Sequence, residues 1–330
     1  MRFRALFLLL AALVGTGGCL STGSSAAPTP TPTAPGTQLS VGTSADPESR
    51  LLAEIIAGLL EASGLGVSTE PFQESADARQ ALELGDIDIR PAYTGEAWLE
   101  VLGRPDPAGD PLTSYLRVRD HDQARGITWL RPNFARTDPT HRTPPANATF
   151  AFVVQGPPGR LANLEDMTGL AAYLAENPDT NVCVDPEFAD RPDGLDQVWD
   201  AYGVADRPVI GVTPSDAVLA VSRGDCVAGL TTATDGAAWN LGLKPLIDDL
   251  AIFPAFVVTP QIRDAVREEF PEVVSALAPF TGGLTTELLG KWNARVVRGE
   301  PLEEVAADAT RTLLELAGRP VPAPSPSPTG

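Results

Sequence analysis

Short apolar runs and helix-period stretches alternate twice along this chain, first from about residue 39 and again from about residue 150. Strand, helix and strand in repeated succession build a mostly parallel sheet with helices over both faces. The first round opens on a short strand ending at Val41-Gly42-Thr43. Asp46 is a good N-cap, and Pro47 suits the first helical position, where its missing N–H would have no partner anyway. Leu51, Leu52, Ile55, Ile56, Leu59 and Leu60 then recur at helical spacing, and Gly64 marks the stop. A strand around Val67, a polar helix from Ser75 to Leu84 closed by Gly85, and a strand at Ile87-Asp88-Ile89 follow. That strand runs into Pro91-Ala92-Tyr93-Thr94-Gly95, where another helix begins.

The second round starts with Phe150-Ala151-Phe152-Val153-Val154. Asn181 to Val184, Pro208 to Val212 and Cys226 to Leu230 read as further strands with helices between them, and Phe256-Val257-Val258 as one more. The remainder is helical, over Glu268–Leu277, Thr285–Val297 and Pro301–Ala317. The last helix has Glu303 and Glu304 at its positive end, with Gly318 and Pro320 beyond its stop. Between Arg117 and Ala146 the pattern lapses. His121 and His141 lie there, far apart in a polar stretch, and no metal site is expected from them.

The two ends are different material. Met1-Arg2-Phe3-Arg4, the apolar block Ala5–Val14 and Gly15-Thr16-Gly17-Gly18-Cys19 have the layout of a secretory signal peptide over residues 1–19. The apolar block is shorter than the roughly 20 residues that span a bilayer. Small residues running into Cys19 resemble the lipobox of bacterial lipoproteins, which implies that Cys19 is acylated and becomes the new N-terminus. An ordinary leader cleaved nearby is the alternative. Residues 20–38, almost all Ser, Thr, Ala, Gly and Pro, read as a disordered tether, and residues 320–330 as a tail of the same kind.

A net charge of −19 argues against nucleic acid and against docking on anionic lipid, and a solvated acidic face accounts for it. With Cys19 assigned to lipid, Cys183 and Cys226 remain, each at a predicted strand of an exported protein. A disulfide between them is reasonable there, and two buried free thiols are the other reading. The chain has no Gly-x-Ser-x-Gly, no His-Glu-x-x-His, no Cys-x-x-Cys and no phosphate-cradling glycine loop. An exported α/β chain without such motifs, and with no cofactor implied, reads as a binding protein rather than an enzyme. Its ligand belongs in the cleft where strand ends and helix N-termini meet.

Several landmarks then fall in order: Val41-Gly42-Thr43; Ala81-Leu82-Glu83-Leu84-Gly85-Asp86-Ile87-Asp88 running to Tyr93-Thr94-Gly95; and Pro186-Glu187-Phe188-Ala189-Asp190-Arg191-Pro192-Asp193-Gly194-Leu195. Gly224-Asp225, Thr234-Asp235-Gly236, Phe253-Pro254 and Gly283-Leu284-Thr285-Thr286-Glu287 complete the series. On these residues the chain resembles the glycine betaine/choline (osmoprotectant) substrate-binding lipoproteins of ABC importers. The resemblance implies the type II periplasmic-binding fold, two α/β lobes closing like a hinge. Lobe I would be residues 39–149 plus 251–319 and lobe II residues 150–250, with crossing strands at Phe150–Val154 and Phe253–Val258. It also implies a monomer that captures a small quaternary amine or zwitterion and delivers it to a membrane permease.

In such a site a trimethylammonium group is held by aromatic faces and a carboxylate by an arginine fork. The resemblance places the arginine at Arg191, a cage wall and a polar contact at Tyr93 and Thr94, and a ring at Phe150 where tyrosine is common. Thr232 and Asp235 complete the expected contacts. Val218 and Thr232 stand where the family often has aromatic residues, Ser44-Ala45 replaces Lys-Asn, and an insertion around Arg136 to Pro145 precedes Phe150. A complete aromatic box is therefore not visible, and Phe134 or Trp129 could swing in toward it from the inserted loop. Each residue also has a plainer reading: Tyr93 as packing, Arg191 in an ion pair with Asp190 or Asp193, Phe150 as hinge core, Thr94 and Asp235 as cap and turn. A second functional reading keeps the fold with a diverged cleft, as a sensor or scaffold lipoprotein or a binder of an unrelated, even apolar, ligand.

Overall fold

The computed structural model describes residues 38–134, 137–138, 141–142, 145–191, 194–205 and 207–321. The expected leader, Cys19, the expected tether before Gln38 and the expected tail from residue 322 lie outside the described residues, as do most side chains of the expected insertion. The strands in chain order are β1 (Gln38–Thr43), β2 (Gly66–Pro71), β3 (Ile89–Tyr93), β4 (Ile127–Trp129), β5 (Thr137–Asp138), β6 (His141–Arg142), β7 (Phe150–Gln155), β8 (Val182–Val184), β9 (Val209–Gly211), β10 (Ala228–Thr232), β11 (Leu243–Pro245) and β12 (Val258–Arg263). They form two five-stranded sheets, ordered β2-β1-β3-β12-β4 and β11-β7-β10-β8-β9, with β5 and β6 paired as a short ribbon. In the first sheet β1 runs parallel to β2 and β3, while β12 runs antiparallel to β3 and β4. In the second, β8 is parallel to β9 and β10, and β7 is antiparallel to β10 and β11.

The helix Pro47–Ala62 shows how sequence becomes lobe. Asp46 caps it, Oδ1 accepting from the N–H of Ser49 at 2.8 Å. Its leucine and isoleucine stripe is fully buried against the first sheet and the helix Leu302–Leu316. Each such side chain contributes about 1.5–3 kcal/mol by leaving water. Gly58 lets the two helices approach, since a Cβ there would lie 2.8 Å from Thr310 Oγ1. In place of the single helix expected over Glu268–Leu277 there are two, Asp264–Glu269 and Glu272–Ala276, with a third, Ala278–Gly283, just beyond it. Pro271 and Pro279 account for the breaks, because neither can donate the backbone bond that continuity needs. Strand β1 takes in Gln38, whose side-chain amide donates to Val67 O at 2.8 Å.

The chain passes between the sheets twice, just upstream of β7 and of β12. These segments lie side by side and antiparallel: Ala148 N donates to Phe256 O at 3.0 Å and Val258 N to Ala146 O at 2.9 Å. The first crossing is therefore not Phe150–Val154, which forms β7 inside the second sheet. Phe152 and Val154 point into one apolar cluster and Val153 into another, so this strand is covered on both faces. On Val153's side Cys183 and Cys226 are joined by a disulfide beside Val218 and Val221.

Candidate ligand-binding cleft

A cavity of about 600 Å³ opens between the lobes, beyond the carboxyl ends of β3 and β10. In α/β sheets this is where ligands bind, because loops and helix N-termini converge there. The first lobe contributes Asp46, Pro47 and Glu48 at the start of the first helix, Tyr93 at the end of β3, and Asn293 from the helix Thr286–Val297. The second lobe contributes Thr232, Thr234 and Asp235, and the crossings add Ala148 and Phe256.

The lobes touch closely beside this cavity. A Cβ at Gly290 would fall 2.1 Å from Trp239 Nε1, so glycine is what admits the second lobe's indole against the first lobe's helix. One turn away Asn293 Nδ2 donates to Thr234 O at 2.9 Å and to Glu48 Oε2 at 2.5 Å. Tyr93 donates its hydroxyl to Glu48 Oε1 at 2.8 Å. Burial pushes the Glu48 carboxyl above its usual range, the hydrogen bonds of Thr234, Tyr93 and Asn293 offset part of this, and the charge of Asp46 adds to the rise. Burial, with the Glu48 charge beside it, likewise holds the Tyr93 phenol well above its ordinary value.

Of the six residues expected to contact ligand, Tyr93, Thr232 and Asp235 lie on the cavity. Asp235 is also the N-cap of the helix Gly236–Asn240. Its Oδ1 accepts from Ala237 N at 2.7 Å and Ala238 N at 3.2 Å, and the Thr231 hydroxyl donates to Oδ2. Thr94 does not line the cavity. It is 0% exposed, donates to Ala255 O at 3.0 Å and accepts from Val257 N at 3.0 Å, so it pins β3's end to the second crossing. Phe150 does not line the cavity either. Its ring lies 5.2 Å from that of Phe188 and 6.1 Å from that of Phe253, within the second lobe's core.

Arg191 is exposed, its guanidinium 5.8 Å from the Phe188 ring centroid, and it does not line the cavity. Gly194 N donates to Arg191 O at 2.9 Å. Neither candidate from the irregular stretch reaches the cleft. Trp129 is 2% exposed and bonded to Asp122, and Phe134 packs on Tyr115 with ring centroids 5.5 Å apart. Val218 is buried beside the disulfide. Among the described residues no group of three or more His, Cys, Asp and Glu could hold a metal ion.

Glu48, Asn293 and Phe256 were not singled out by the sequence. Glu48 reads there as an ordinary first-turn acid favoured by the helix dipole. Asn293 had one signal, a polar side chain amid the apolar positions Leu289, Trp292 and Val296, and it is buried.

The family described as the substrate-binding domain of ABC-type glycine betaine transport systems matches residues 37–311. A glycine-betaine-binding protein of Pseudomonas aeruginosa is 29% identical over 282 residues, covering 83% of this chain and 87% of that relative. The glycine betaine-binding protein YehZ of Escherichia coli is 27% identical over 279 residues, covering 81% and 88%. The solved structure of apo YehZ superposes with a TM-score of 0.75 at 26% identity, over 86% of this chain and 99% of that one. The chain thus belongs to the family of substrate-binding domains of ABC-type glycine betaine transport systems.

Proposed function

We propose that this protein captures a small quaternary-amine solute, of the glycine betaine, choline or carnitine kind, and hands it to an ABC permease without transforming it. The observation that carries this reading is the interlobe cavity, where Tyr93 and Phe256 stand on the wall with the carboxylate of Glu48. A trimethylammonium group has no N–H to donate. It is attracted instead to ring faces, at about 0.5–2 kcal/mol each, and to a nearby anion. The names of the relatives in Pseudomonas aeruginosa and Escherichia coli support the same ligand class.

The test is a melting series on the purified protein with glycine betaine, choline, carnitine and related amines. A ligand at 100 times its Kd stabilises the folded state by about 2.7 kcal/mol, which in a chain of this size raises Tm by several degrees. No rise with any member of the series would overturn the reading.

The protein would work outside the membrane, held by a lipid on Cys19 with the Ser/Thr/Pro stretch as its tether. The lipobox resemblance supports this, and among the described residues no helix is long and apolar enough to cross a membrane. Cys19→Ser is expected to move the protein from the membrane fraction to the soluble one. An unchanged fractionation would remove the anchor.

A further inference from the structure

Asp46, Glu48, Glu96, Glu100 and Asp235 all line the cavity, and among the described residues no lysine, arginine or histidine does. Most of these carboxylates are already engaged or wet. Asp46 and Asp235 cap helices with their oxygens. Glu96 takes the Ser75 hydroxyl and lies 3.5 Å from Arg90 Nη2. Glu100 is exposed to solvent.

Glu48 differs. It is half-buried, and its hydrogen-bond partners Tyr93, Asn293 and Thr234 are all uncharged. Hydrogen bonds steady a carboxylate but leave its charge uncompensated, and a charge drawn out of water is normally paired. Among the described residues none lining the cavity supplies the compensating cation, and the solute can.

We infer that the cleft prefers a cation without a carboxylate, of which choline is the probe, over a zwitterion such as glycine betaine, and that Glu48 sets the preference. This rests on the reading of the cavity as the solute site. Both compounds carry the trimethylammonium group that rings and Glu48 attract. Glycine betaine also brings a carboxylate into a cavity bordered by acids, where like charges repel. The arginine that the family resemblance assigns to such a carboxylate, Arg191, stands outside this lining.

Titration calorimetry at near-neutral pH, with choline chloride and glycine betaine run in parallel, tests the inference. The wild-type protein is expected to bind choline at least about tenfold more tightly, and Glu48→Gln to narrow that ratio to within about threefold. Should Glu48→Gln fail to fold, Glu48→Asp keeps the charge but withdraws it by one methylene, and the ratio should still fall. Glycine betaine binding as tightly as choline, or a ratio unchanged in whichever variant folds, overturns the inference and leaves the proposed function standing. Binding of neither compound overturns the inference, and where no other amine of the melting series raises Tm it overturns the proposed function as well.

Discussion

Asp122 and Glu48 are two carboxylates of the first lobe, both withdrawn from water but differently surrounded. Asp122, 1% exposed, receives Arg79 at 2.6 and 2.8 Å, Trp129 Nε1 at 2.7 Å and Gln261 Nε2 at 3.3 Å. Burial works against its charge, but the hydrogen bonds and charge of Arg79, with Trp129's bond, outweigh it and hold the carboxyl below its usual range. Glu48 has donors of comparable length and, among the described residues, no cationic partner, and its carboxyl moves the other way. The first is a closed pair that fastens the helix Ser75–Leu84 to the helix Pro111–Gln123 and to β4. The second is an open charge on the wall of a cavity. Where the protein supplies the counter-charge the group is architecture, and where it does not the solute can.

The largest effect that would break this comparison is at the closed pair. Asp122→Ala leaves Arg79, itself 3% exposed, with the exposed Glu83 as its one anionic partner among the described residues. Removing one member of a buried ion pair costs about 3–5 kcal/mol, because the other stays buried and uncompensated. Denaturant melts should show that loss. A cost below about 1 kcal/mol, the scale of an exposed pair, would mean that Asp122 is no more structural than a surface charge.

How far this contrast could be read in advance follows from where its partners lie in the chain. The helix from Pro47 was legible because its cap, its stripe and its stop are all local. Where local signals conflict with tertiary placement, expectation and structure part: Phe150, expected as a cleft ring, and Trp129, a candidate to reach the cleft, are both packed against cores. Family landmarks lead to Tyr93 and Asp235, and the family alignment to Thr232, and all three lie on the cavity. They could not lead to Glu48 and Asn293, which meet across 245 residues and whose significance is the contact itself. Arg79 and Asp122, 43 residues apart in the chain, are hidden for the same reason, since only the fold brings them together.

The smallest effect, and the one that sharpens the comparison most, is the opposite pH dependence of the two groups. Asp122's carboxyl is depressed in the folded state, so its contribution is present above the unfolded value of 3.8 and is lost as pH falls through the folded one. Glu48's carboxyl is raised above 4.5, so the native state takes up its proton first. The stability gained from that protonation is complete below 4.5 and is lost as pH rises through the folded value. Of its neighbours only Asp46 adds charge directly, while Tyr93 stays protonated throughout this range and Thr234 and Asn293 do not titrate. Ligand-free wild type should therefore gain stability relative to Glu48→Gln on acidification toward 4.5, in melts run side by side. Saturating choline should abolish that gain, because a bound cation favours the ionised carboxylate and keeps it from taking up the proton. The same gain with and without choline would show that no cation sits beside Glu48, and the open charge would have to be explained by the fold alone.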